Sequence, residues 1–135
     1  MKNFILFIIL LCSVNVFGQL ESDALFIKNK YPEGYNIIKY YAAQEWGSDH
    51  EMVVYQINSQ AEALINLLAI FEPKHTNILY RSLQEWSYPT FLKHTQEYFE
   101  KEVNAAEISL FLNFHVDWEM VEYTYKNQVS AKESY

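Results

Sequence analysis

Four residues close together in the chain, Glu45, Trp46, Asp49 and His50, have side chains suited to binding or chemistry. Carboxylates beside an imidazole can hold a metal ion or share a proton, and the indole between them adds an aromatic contact. They form the candidate binding set. A plainer account competes with it: Asp49 and Glu51 also read as the ordinary acidic first turn of a capped helix.

A second group sits near the C-terminal end, at His115, Asp117 and Glu119. His115 and Glu119 are four apart, which on a helix puts both on one face and offers two ligands to one ion. Asp49, His50, His115 and Glu119 therefore form the candidate metal set. The Glu-x-x-His pair that carboxylate-bridged helical bundles use occurs only as Glu72 to His75, with Pro73 inside it. That favours a structural His115–Glu119 pair, and His94 with Glu97 reads as an exposed helical pair.

Other chemistries lack their residues. There is no Gly-x-Ser-x-Gly elbow, and the one cysteine, Cys12, lies near the N-terminus. Gly34 and Gly47 do not make a phosphate-binding loop, and no Cys-x-x-Cys-His is present to attach haem. No cofactor is expected. Tyrosine is abundant, with eleven copies, and Tyr40, Tyr41, Tyr55, Tyr98, Tyr123 and Tyr125 all fall on expected helices. They suit either a ligand groove or the boundary between core and water.

The elements that must position these residues read as helices. Ser22 to about Lys30 makes a first short helix, and Tyr31-Pro32-Glu33-Gly34 reads as a turn. The next helix spans about Tyr35 to Trp46, with Gly47 ending it. Ser48 and Glu51 form a capping box for a third helix. Val53, Ile57, Ala61, Leu64, Leu68 and Phe71 give that helix a clear apolar stripe, and Pro73 stops it. A fourth runs from about Thr76 to Trp86.

From Pro89 to residue 128 there is no glycine and no further proline, so one continuous or mildly bent helix is expected. It is apolar on two sides over its second half, as in a central, covered helix. Asn104 with Glu107 would cap a break, with Val103 and Ile108 as its hydrophobic staple. One internal similarity stands out: Gln44-Glu45-Trp46 recurs as Gln84-Glu85-Trp86, each closing a short helix. The alternatives are a duplicated helical hairpin and chance matching of three residues.

The chain is expected to carry an export signal over residues 1–18. Lys2 is the basic start, Phe4 to Leu11 the apolar run, and Val16-Phe17-Gly18 the small-residue end, with cleavage after Gly18. The run is too short to span a bilayer, which takes about 20 residues. Leu11 before Cys12 departs from the small residue of a lipoprotein signal, so cleavage is expected over lipid anchoring. Residues 19–128 then form a single helical domain, and 129–135 a disordered tail.

The whole chain has a formal net charge of −7, and Arg81 is its only arginine. Nucleic-acid binding and anionic membrane surfaces are disfavoured, whereas a protein partner is compatible with that charge. No membrane insertion is expected after signal cleavage. The expectation is an all-α, mainly antiparallel bundle of five to six helices, with two helical hairpins as one way to build it. Its expected role is that of an exported non-catalytic interaction protein, such as an accessory subunit or an inhibitor or immunity-type partner, in the periplasm or outside the cell. The alternative is a periplasmic metal-dependent enzyme or a metal or small-ligand carrier.

Overall fold

The computed structural model of the chain describes residues 18–89 and 113–135. Helix α1 (Ser22–Lys30) buries Ala24 and Ile27. Nine residues are too few to hold a helix in water by themselves, so tertiary contacts must fasten it. One fastening is at its start, where Asn58 accepts a hydrogen bond from the Glu21 N–H (2.8 Å) and donates to the Gln19 carbonyl (2.9 Å).

Helix α2 (Pro32–Trp46) begins almost at once. The turn expected over Tyr31 to Gly34 shrinks to Tyr31 alone. Proline at the first helical position lacks an N–H that would have gone unpaired anyway, so it starts the helix rather than breaking the chain. Gly34 is buried in the first turn. The helix ends as expected at Gly47, whose φ of +56° suits a residue without a Cβ.

Helix α3 (His50–Ile70) is capped by Asp49, not by Ser48. The Asp49 N–H bonds the Trp46 carbonyl at 3.0 Å, which makes Asp49 the last residue before the helix. Its carboxylate then accepts the Met52 N–H at 3.2 Å. Of the expected stripe, Ile57, Ala61 and Leu64 are buried, while Val53, Leu68 and Phe71 pack half-buried against the core. A 3-10 turn (Pro73–His75) leads into α4 (Thr76–Glu85), which buries Leu79, Ser82 and Leu83.

The continuous helix expected through residue 128 does not survive at 113–117, which is non-helical. There the backbone pairs with the end of α4 instead. The Tyr88 N–H donates to the His115 carbonyl (2.9 Å) and the Asp117 N–H to the Trp86 carbonyl (3.0 Å), with Ser87 and Val116 in an isolated antiparallel bridge. These bonds satisfy groups that a helix would otherwise have paired within itself. Asp117 then caps α5 (Trp118–Ser134), accepting the Met120 N–H at 3.3 Å.

On α5, Trp118, Val121 and Tyr125 are buried as the expected stripe has them. Of the second apolar side, Val116 is buried and Tyr123 is 62% exposed, while Ile108 and Leu112 lie outside the described residues. The tail also differs from expectation, because α5 continues through Ser134. Val129 packs against the core, and Glu133 lies 3.4 Å from the buried His75. Those two contacts hold the last turns to the bundle. Residues 1–17, where the export signal is expected, lie outside the described residues, as do Tyr98, His94, Glu97 and the expected Asn104–Glu107 cap.

The protein is a small all-α helical bundle, with no strand among the described residues. Helix α3 is central: it packs against α1, α2 and α5, and α5 in turn packs against α4. Leu64, Leu67, Leu79, Leu83, Trp118 and Val121 fill the middle. Among the described residues no helix is long and apolar enough to cross a membrane.

Candidate interaction site

Glu45, Trp46, Asp49 and His50 come together at the corner between α2 and α3, all of them exposed. Their polar groups serve the corner itself. Asp49 caps α3, the Trp46 carbonyl receives the Asp49 N–H, and the Trp46 indole N–H donates to the Gln56 side-chain oxygen. His50 is the first residue of α3.

The second group falls at the junction that leads into α5. His115 sits in the extended segment before the helix, so it does not share a helical face with Glu119 as the spacing implies. Its Nδ1 lies 2.9 Å from the Tyr41 hydroxyl. The Tyr41 ring stacks on Tyr88 at 3.7 Å between centroids, with the planes 2° apart. Burial pushes both phenols up to about 12. Asp117, Glu45 and Tyr41 add to the effect at Tyr88, and Tyr40 adds to it at Tyr41. Phenols held this firmly neutral are poor bases or nucleophiles near neutral pH.

Gln60, 6% exposed, ties the junction to α3. Its carbonyl oxygen accepts the Trp118 N–H at 2.7 Å, and its amide donates to Asp117 at 2.8 Å and to Glu119 at 3.5 Å. Partial burial raises the Glu119 pKa, with Asp117, Glu122 and Glu45 adding to the rise and the Gln60 bond opposing it. Among the described residues no three His, Cys, Asp or Glu side chains are placed to hold a metal ion. Asp49, His50, His115 and Glu119 are thus not assembled into one three-ligand site.

Known proteins offer no guide: no protein family matches the chain, and neither a curated protein nor a solved structure resembles it. Its own internal similarity is therefore the strongest comparison.

That similarity extends well beyond Gln-Glu-Trp. Asp49-His-Glu-Met-Val-Val-Tyr55 and Asp117-Trp-Glu-Met-Val-Glu-Tyr123 agree at Asp, Glu, Met, Val and Tyr. Both corners use these residues alike. A helix closes at Glu-Trp, the Trp carbonyl takes the Asp N–H at 3.0 Å, and the Asp carboxylate caps the Met N–H three residues on. In each, the indole N–H donates to the side chain seven residues after the Asp: Gln56 for Trp46, and Thr124 (2.8 Å) for Trp86. Residue-by-residue equivalence of hydrogen bonds makes chance matching of a few letters a poor account. The equivalence was hidden in the sequence because the Trp-to-Asp spacing differs. Gly47 and Ser48 are the whole connection at the first corner, whereas residues 87–116 intervene at the second.

The repeat leaves the same pair on the surface twice, Glu51 with Tyr55 on α3 and Glu119 with Tyr123 on α5. Tyr55 is 66% exposed and Tyr123 62%. Each pair lines an open trough, of about 330 Å³ beside Tyr123 and of about 440 Å³ beside Tyr55, where Gly18 forms part of the wall. Ser59 and Glu62 of α3 line both, so the two troughs adjoin along one face. Tyr55 and Tyr123 have no distinguishing mark in a chain with eleven tyrosines; the shared Asp-x-Glu-Met-Val-x-Tyr is the signal that marks them.

Proposed function

We propose that the chain is an exported protein, cleaved after Gly18, whose mature part binds another protein without catalysing a reaction. One observation carries the reading: the duplicated corner repeats its exposed Glu–Tyr pair as well as its core-packed valine and capping residues. Capping alone explains the repeated Asp, and packing explains the repeated Val, but neither requires an exposed tyrosine. Tyrosine offers large, rigid contact area with a polar tip and is enriched where proteins meet. The side chains best suited to chemistry are meanwhile engaged in holding the bundle, Asp49 and Asp117 as caps and His115 against Tyr41. Export is supported by the order of Lys2, the apolar run and Gly18, and by Gln19 and Glu21 being tied to Asn58 at the start of the fold.

Native mass spectrometry of the protein recovered gently from the cells that export it tests both parts. The expected species has the mass of Gln19 to Tyr135 with a second protein attached. An intact residue 1–18 segment would remove the export reading, and a bare monomer the interaction reading.

A further inference from the structure

The two adjoining troughs are charged on one side of the balance. Glu21, Glu51 and Glu62 line the first, and Glu62, Glu119 and Glu122 the second. Among the described residues the only basic one lining either is Lys126, whose ammonium already lies 3.7 Å from Glu122. The other Glu122 carboxylate oxygen is buried, with no hydrogen-bond partner among the described residues. The surplus of carboxylates along both troughs favours a cationic partner over a neutral or anionic one. Glu119 feels the same crowding of negative charge, which with its partial burial raises its pKa.

Length and aromatic content narrow the class of ligand. Glu51 to Asn66, the reach of α3 along both troughs, spans about 22 Å at 1.5 Å per residue. That accommodates about seven residues of extended chain, far more than one small cation needs. The exposed rings of Tyr55 and Tyr123 stand along it, each on the helix that also supplies the matching Glu51 or Glu119. A carboxylate and a tyrosine face side by side are complementary to a lysine or arginine, which pairs with one and lays its stem or charge over the other.

We infer that this face of α3 and α5 is the docking surface for a lysine- and arginine-bearing segment of a protein partner, read by two equivalent half-sites, Glu51–Tyr55 and Glu119–Tyr123. The inference rests on the interaction reading above and adds the place and the chemistry of the contact. Electrostatic attraction speeds encounter, and the two tyrosines supply the anchoring contacts.

The test uses protein recovered from cells that make the full chain and a fluorescent peptide of about seven residues alternating lysine and leucine, matched to the trough length. Anisotropy titration is expected to show saturable binding that weakens with salt. Tyr55→Ala and Tyr123→Ala should each weaken it about tenfold, as loss of an interface anchor does, and Glu62→Gln with Glu122→Gln should do at least as much. Tyr40→Ala and Glu33→Gln, which lie off the troughs, should leave it unchanged. Thermal melts confirm that each variant is folded; if Glu122→Gln is not, the two tyrosine variants carry the test. Equal losses in the off-trough variants overturn the inference, as does complete displacement of the peptide by equimolar magnesium or spermine. So does failure of the peptide to bind. A partner seen by native mass spectrometry that stays on the Tyr55→Ala/Tyr123→Ala protein would overturn the docking surface while leaving the interaction reading in place.

Discussion

The corner between α2 and α3 and the corner between α4 and α5 are built from one set of residues and put to different uses. At the first, Trp46, Asp49 and His50 are exposed and only Gly47, Ser48 and the cap Asp49 join the helices. At the second, Trp86 packs half-buried on the core, Asp117 is half-buried against Gln60, and Trp118, which occupies the position equivalent to His50, is 2% exposed. The capping and indole hydrogen bonds are the same in both. The difference teaches that the local device fixes where a long helix starts, while burial around it decides how much that start contributes to stability.

The largest contrast is expected at the equivalent pair His50 and Trp118. Trp118→Ala should cost about 3–5 kcal/mol in denaturant unfolding, because a fully packed indole is removed from the core. His50→Ala, at the exposed corner, should stay within about 0.5 kcal/mol. Similar losses at both positions would break the comparison. Gln60→Ala comes next, at about 1–3 kcal/mol, because it removes the acceptor of the Trp118 N–H and one of the donors to the half-buried Asp117 carboxylate. The caps themselves differ less. Asp117→Ala should cost about 2 kcal/mol and Asp49→Ala about 1 kcal/mol or below, since only Asp117 also serves a buried partner.

Alkaline pH should act on the second corner through Tyr41 and Tyr88, while burial also raises the phenols of Tyr35 and Tyr125 elsewhere in the bundle. The folded phenols of Tyr41 and Tyr88 titrate at about 12, above the ordinary value of 10.0. A raised folded pKa means that the fold favours the neutral phenol. The corresponding stability is complete below pH 10 and is lost as pH rises from 10 towards 12. Tyr88→Phe should therefore flatten the fall in melting temperature over that window. The smallest effect concerns Glu119, whose raised pKa disfavours its charged form in the fold. Glu119→Gln should raise the melting temperature at neutral pH, and the gain should shrink as pH falls through the carboxylate range, where wild-type Glu119 is already protonated.

Much of the architecture was legible in the sequence, because periodicity and punctuation carry it. The α3 stripe, Gly47 as a helix end and Pro73 as a stop all follow from local backbone physics. What escaped was decided by contacts between distant segments. A run free of glycine and proline looked continuous through residues 113–117, but its backbone bonds go to Trp86 and Tyr88, which no local pattern announces. The 129–135 segment looked like a tail because its anchors, the core around Val129 and the buried His75, lie elsewhere in the chain. Glu45, Trp46, Asp49 and His50 fall at one corner because they are neighbours in the chain. Reading His115 and Glu119 as a helical pair failed for the same reason as the continuous helix. The exposed tyrosine pair was visible only through the second copy of the corner motif, which the unequal connections displaced from the forty-residue offset.

The most direct test of the account is photo-crosslinking in cells that make the full chain, with a photoreactive residue placed at position 55, 123 or 40. The two equivalent half-sites predict the same single partner trapped from positions 55 and 123, and nothing from position 40, which is also exposed but lies off the troughs. Different adducts from 55 and 123, adducts from 40 alone, or none from any position would contradict it.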